Sequence, residues 1–189
     1  IGTSTGSGEK RPRPSARRAM GDKRALAASG LRAEQVEVLV HAAVCRDMLE
    51  PATASFVHRE LGLSPGVQVF DISNACLGFL NALTMLGGLI ESGQIKCGMV
   101  TVGEDGGPLV EQTVATLLRE PHSRNAIKPY FPNPTIGSAA VAAVVCHRSL
   151  APDRPRLLGG VGRAATQHND LCLGDRARAK GGKKGGGVF

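Results

Sequence analysis

The sequence predicts an α/β layered fold around a mostly parallel sheet, and three observations carry that prediction. Short β-branched runs alternate with helix-prone stretches, in the order helix, strand, helix, strand, helix, strand, helix, strand. Ala, Val, Leu and Gly dominate while aromatic residues make up 3% of the chain, which suits tightly packed layers. Between Leu77 and Ile90 only Asn81 and Thr84 are polar, and a helix that is apolar almost all round belongs inside a core. At 189 residues the chain is long enough to bury such a core as one domain.

The elements follow in order. Residues 1–15 are rich in Gly, Ser and Thr, then in Arg and Pro, and are expected to be disordered. Residues 15–29 are Ala/Arg-rich and helix-prone, ending near Gly30. Val36–Val44 is an apolar, β-branched run that reads as a buried strand. Pro51 opens a helix at its first position, which continues over Ala52–Leu61 and stops at Gly62. Val67–Ile72 is a second strand, with Ser73 and Asn74 as expected N-caps of the apolar helix beyond it. That helix ends around Ser92–Gly93. Lys96–Gly103 is a third strand, and Leu109–Arg119 a further helix. A loop carries Pro129, Pro132 and Pro134. Gly137–His147, rich in Ala and Val, is a fourth strand, and Arg156–Arg163 a possible fifth. The alternation leaves room for antiparallel strands closing the sheet. Residues 176–189 are a low-complexity basic Gly/Lys tail from which no core can be built. The globular unit is therefore expected over 16–175.

Charge bounds the partners. The net charge of +7 sits in the two ends. Residues 1–24 carry seven basic and two acidic side chains, residues 175–189 five and one, and the middle is slightly acidic. Basic ends of this kind are most often solvated tails, which argues against nucleic acid as a partner. The longest apolar runs are too short or too rich in Gly and Ala for a membrane span, and no signal peptide is legible. The five cysteines, at 45, 76, 97, 146 and 172, are odd in number and widely spaced. They form no Cys-x-x-Cys and no zinc-ligand pattern, so no metal is expected, and free thiols in a reducing, cytoplasmic compartment are the economical reading.

The informative stretch is 70–83, Phe-Asp-Ile-Ser-Asn-Ala-Cys-Leu-Gly-Phe-Leu-Asn-Ala-Leu. It sets Cys76 where a strand gives way to the apolar helix. There the sulfur meets the unpaired N–H groups and the positive end of the helix dipole, a setting for a nucleophile. Free cysteine is also among the most buried residue types and often serves as a small hydrophobe, so the residues alone leave both roles open. The nucleophile reading places Cys76 at the inner end of a narrow cleft, at the C-terminal edge of the second strand.

Asp71, Ala75, Cys76, Gly78 and Phe79 resemble the nucleophile segment of the thiolase superfamily, in its 3-oxoacyl-acyl-carrier-protein synthase III branch. The likeness runs on through Leu89–Glu104 and covers roughly residues 25–175. Ala43–Leu63 is similar to the head-to-head acyl-CoA condensing thiolases of long-chain hydrocarbon synthesis. The resemblance implies the N-terminal half of a thiolase-like layered fold with a buried nucleophile helix. It implies an acyltransferase in which Cys76 accepts an acyl group from coenzyme A or acyl carrier protein, with no cofactor beyond that substrate. It also implies a homodimer when complete. A glutamate at the position of Glu50 acts in that group as base on the acyl donor, which could be reached across a dimer built through Lys96–Gly103. An acid ahead of Pro51 equally complements a helix dipole, so Glu50 carries two readings. Condensing two acyl thioesters without a malonyl group requires a base for the α-proton, which gives the first its chemical sense.

The family enzyme is about twice this length, and its catalytic His and Asn come from the second half. His168, in Thr-Gln-His-Asn-Asp, lies too early to replace that histidine, and His41 and His58 read as packing or surface residues. Three functions follow: a ketoacyl synthase III-type enzyme, incomplete as written; a non-catalytic thiolase-fold half needing a separate second half; and a basic module acting through its tails.

Overall fold

The computed structural model describes residues 14–44, 50–119 and 122–169. The expectations for residues 1–13 and 176–189, and for Cys45 and Cys172, lie outside the described residues.

Helix α1 (Pro14–Ser29) precedes β1 (Val38–Ala42), α2 (Thr53–Leu61), β2 (Gln68–Ile72), α3 (Gly78–Glu91), β3 (Cys97–Glu104), α4 (Gly107–Leu117), α5 (Arg124–Ile127) and β4 (Ala139–Cys146). The four strands form one sheet in the order β2-β1-β3-β4. β1 runs parallel to β2 and to β3, while β4 closes the sheet antiparallel to β3. β1 is buried along its whole length, as a strand covered on both faces must be. The chain steps from β1 outward to β2, then back past β1 to β3. Right-handed crossovers in those opposite directions put their helices on opposite faces.

The core accordingly has two layers. On one face Leu39, Val57, Leu63, Val67, Cys97 and Met99 pack together beneath α1 and α2. On the other, Val38, Val40 and Val100 meet Ala82, Leu86 and Ile90 of α3. Neighbouring residues of β1 and β3 thus face opposite layers, the two-residue period of a strand. Gly98 sets how closely α3 sits on β3: a Cβ there would lie 2.6 Å from Leu86 Cδ2. Gly62 ends α2 in the left-handed region at φ 64°, which glycine adopts without a Cβ penalty.

Several expectations are corrected. Residues 156–163 form no strand; five of their eight residues are glycine or arginine, set around exposed Leu157, Leu158 and Val161. The proline-bearing loop is a run of short helical turns, α5 followed by turns at Lys128–Tyr130 and Asn133–Thr135, because Pro129 and Pro134 fit the first positions of such turns. Helix α1 begins at Pro14, inside the stretch 1–15 expected to be disordered. The apolar helix α3 is buried on one side only. Gly78, Ala82, Leu86 and Ile90 are buried, while Leu77 and Leu80 are 53% and 56% exposed, because the sheet covers a single face of it. β3 is flanked by β1 and β4, so the edges left for pairing with a second copy are those of β2 and β4 rather than Lys96–Gly103.

Candidate functional site

β2 ends at Ile72, and the chain then turns tightly into α3. The turn passes through Ala75, whose φ of 42° lies in the left-handed region. For a residue with a Cβ that conformation costs on the order of 1–2 kcal/mol. Two backbone bonds hold it: Leu77 N–H donates to Asn74 O at 2.9 Å and Gly78 N–H to Ala75 O at 3.4 Å. Gly78 then starts α3 against β1, where a Cβ would sit 3.3 Å from Ala42 Cβ and 3.7 Å from Ile72 O. The Ala-Cys-x-Gly spacing is thus a piece of geometry. The alanine takes the strained turn, the cysteine is carried at its tip, and the glycine lets the helix start close over the sheet.

Cys76 occupies that tip at the C-terminal edge of β2, immediately before α3, as expected. It is exposed and a free thiol, not buried at the end of a cleft. The turn projects beyond the sheet, and the face of α3 that continues from it, through Leu77 and Leu80, is uncovered among the described residues. Ser73 and Asn74 do not cap α3 either. Leu77 holds the N-cap position without a side-chain bond, and the Asn74 amide instead donates to Asn81 Oδ1 at 2.6 Å.

Glu50 is exposed, joined to Pro51 by a cis peptide bond. It lies just ahead of α2, and Asp71 fixes where α2 begins. Asp71 Oδ2 accepts from Thr53 N–H at 2.8 Å and Oδ1 from Ala54 N–H at 2.9 Å. One carboxylate of β2, five residues before Cys76, therefore holds the helix start three residues after Glu50. A second carboxylate acts at the same edge: Glu104, at the end of β3, accepts from Val44 N–H at 2.7 Å. The segment leaving β1 is thus tied to β3 on one side, and its re-entry into α2 is tied to β2 on the other. Cys76 and the Glu50 segment both belong to the C-terminal edge of the parallel strands, the edge at which open α/β sheets place their ligands.

Sequence reasoning quoted Asp71 as part of the motif but gave it no task. The signal was available, since a carboxylate is among the best partners for a helix N-terminus, but the partner lies 17 and 18 residues back in the chain. The histidines do not join the site. His41 is buried on β1, its Nδ1 2.9 Å from Thr101 Oγ1. His58 Nε2 lies 2.9 Å from Ser64 O, and His168 is exposed in a short turn near the end of the described residues. A cavity of about 760 Å³ lies elsewhere, between α3 and β4, and includes neither Cys76 nor Glu50.

This strand–turn–helix arrangement over a mostly parallel sheet has counterparts. The family model for 3-oxoacyl-[acyl-carrier-protein] synthase III matches residues 70–118. An acyl-CoA:acyl-CoA alkyltransferase of Xanthomonas campestris is 35% identical over 156 residues, 82% of this chain and 46% of the relative. That of Shewanella oneidensis is 38% identical over 152 residues, 79% of this chain and 43% of the relative. A beta-ketoacyl-[acyl-carrier-protein] synthase III of Neisseria meningitidis is 37% identical over 82 residues, covering 43% and 26%. Among solved structures, a histidine-to-alanine variant of Xanthomonas campestris OleA superposes with a TM-score of 0.82 at 32% identity, over 88% of this chain and 49% of that one. A cysteine-to-serine variant of OleA with bound lauric acid and lauroyl-CoA gives 0.79 at 33%, over 85% and 48%. The chain has a thiolase-like α/β fold. Its sequence and fold are similar to those of the thiolase superfamily, in the 3-oxoacyl-acyl-carrier-protein synthase III-like group, and it spans about half the length of the alkyltransferases it matches. No helix among the described residues is long and apolar enough to cross a membrane.

Proposed function

We propose that this chain is the nucleophile-bearing half of an acyl-CoA-condensing enzyme, with Cys76 as its acyl-accepting residue. The observation that carries the reading is the placement of Cys76 on a strained turn at the C-terminal edge of the parallel strands, the edge that also carries the segment Asp71 anchors. The Cys76 sulfur attacks the carbonyl of an acyl thioester. A tetrahedral oxyanion forms, coenzyme A or acyl carrier protein leaves as its thiol, and the acyl group remains on Cys76 as a new thioester. Backbone N–H groups near Cys76 are the donors proposed for that oxyanion. Glu50 is the base proposed to remove the α-proton of a second acyl group, whose carbanion then attacks the acyl-cysteine to give a β-keto product. Glu50 would do so from its own chain or across a homodimer.

The reaction needs no cofactor beyond its thioester substrates, runs in the cytoplasm and involves no nucleic acid. The exposed apolar face of α3, with Leu77 and Leu80, supports a second reading in which this half works only when a separate half covers it.

Mass spectrometry of the chain after incubation with lauroyl-CoA tests both. Acylation of Cys76 that Cys76→Ala abolishes, without free β-keto product, supports an acyl-accepting half that lacks the second half's groups. No acylation leaves the non-catalytic half as the reading. Free product at a rate above the Cys76→Ala control overturns the view that this half is catalytically incomplete.

A further inference from the structure

Two cysteines far from Cys76 face each other across the sheet. In the antiparallel register of β3 and β4, Cys97 is the direct partner of Cys146. The ladder bond beside them runs from His147 N–H to Lys96 O at 2.7 Å, one residue outside the pair on each strand. Cys97 and Cys146 are therefore a non-hydrogen-bonded pair, the class in which opposed Cα atoms approach to about 4.5 Å and side chains on one face come closest. A disulfide ordinarily spans Cα separations of about 4.4–6.8 Å. Both side chains point into the same core layer, Cys97 within it and Cys146 packed against it, and both are free thiols. The two sulfurs also sense each other: negative charge on Cys146 is, after burial, the next cause that pushes the Cys97 thiol up, to about 12, ahead of Glu37.

From this register we infer that Cys97 and Cys146 form a cross-strand disulfide when the protein meets a low-molecular-weight disulfide oxidant such as oxidised glutathione. Cys146, the less buried of the two, is the entry point. Its thiolate attacks one sulfur of the oxidant, a mixed disulfide forms, and one small thiolate leaves. Capping Cys146 removes the negative charge that opposed ionisation of its neighbour. Cys97 then attacks the Cys146 sulfur and expels the second small thiolate. Two protein thiols give up two electrons and two protons to the oxidant, which becomes two small thiols. The link would staple the edge strand β4 to β3 at the sheet edge opposite Cys76, leaving the candidate nucleophile untouched.

The experiment exposes the native chain to oxidised glutathione, blocks remaining thiols under denaturing conditions and maps tryptic peptides. Cys97 falls on the peptide 97–119, Cys146 on 125–148 and Cys76 on 60–96, so each linkage has its own mass. The expected product is 97–119 joined to 125–148, reversed by dithiothreitol. It should form in the Cys76→Ser variant as in the parent, with the oxidised chain melting higher than the reduced one. Recovery of both peptides fully alkylated overturns the inference, as does a dominant link from Cys97 or Cys146 to Cys76. So does an equal yield of the 97–146 link when oxidation is carried out in guanidinium chloride, because the pairing would then owe nothing to the sheet.

Discussion

Replacing Asp71 separates its part in the fold from its place in a motif. In the folded chain its two oxygens accept from Thr53 and Ala54 N–H at 2.8 and 2.9 Å, two of the four donors a helix start leaves without intrahelical partners. The carboxylate is half-buried, so water replaces it only in part. A hydrogen bond to a charged acceptor contributes about 1.5 kcal/mol at the lower end of its range, and loss of a helix cap typically costs about 1 kcal/mol. Asp71→Ala removes both bonds and is expected to cost about 2–3 kcal/mol. Asp71→Asn keeps one acceptor oxygen and loses the charge, and should cost about half as much. Urea unfolding followed by circular dichroism at 222 nm reads the difference. With a slope of about 2 kcal/mol per molar, the alanine variant should unfold more than 1 M earlier than the parent. Hydrogen exchange at the amides of residues 53 and 54 should accelerate beyond what the global loss explains. An alanine variant within 0.5 kcal/mol of the parent, or alanine and asparagine variants of equal stability, would refute the view that this carboxylate anchors α2 and with it the Glu50 segment.

Three further outcomes follow from the packing. Gly98→Ala would place a Cβ 2.6 Å from Leu86 Cδ2 and should cost about 1–3 kcal/mol by overpacking; in a double-mutant cycle with Leu86→Ala the two losses should be less than additive. Leu86 is fully buried and Leu80 is 56% exposed, so Leu86→Ala should cost about 2–5 kcal/mol in urea unfolding, whereas Leu80→Glu should stay within about 0.5 kcal/mol and reduce self-association seen by light scattering. Burial and the Cys146 charge raise the Cys97 thiol from 9.0 to about 12. Between those values the unfolded chain has lost a proton that the folded chain keeps, so stability falls as pH rises from 9 towards 12. The melting temperature of the parent should accordingly drop more steeply across that window than that of Cys97→Ala, and parallel profiles would deny the burial of that thiol.

The fold was legible where local pattern and tertiary burial agree. The run Val36–Val44 is apolar apart from Glu37 and His41 because β1 is covered on both faces, and a strand of that kind announces itself. The period of α3 was legible too, but its meaning was misjudged. Counting apolar positions from Leu77 to Ile90 cannot distinguish a face buried by this sheet from one left for another surface. The polar residues Asn81 and Thr84 lie on the exposed side with Leu77 and Leu80, and that grouping was the available hint. Residues 156–163 were misread for a different reason, since apolar content without alternation does not make a ladder.

The turn that carries Cys76 was legible in the sequence and its relation to the Glu50 segment was not, and the reason lies in how each is encoded. Cys76 depends on a contiguous stretch: a short strand, a small residue able to take positive φ, the cysteine, then a glycine that lets the helix close over Ala42. Each of these is a local demand, so a window of ten residues states it. The relation between Cys76 and Glu50 is written across 26 residues. It depends on Asp71 reaching back to the N–H groups of Thr53 and Ala54, which requires β2 to lie parallel beside β1 in the register that pairs Asp71 with His41. Nothing in the local sequence around Asp71 names that partner. The same carboxylate therefore reads as one letter of a motif in the chain and as the anchor of the α2 start in the fold.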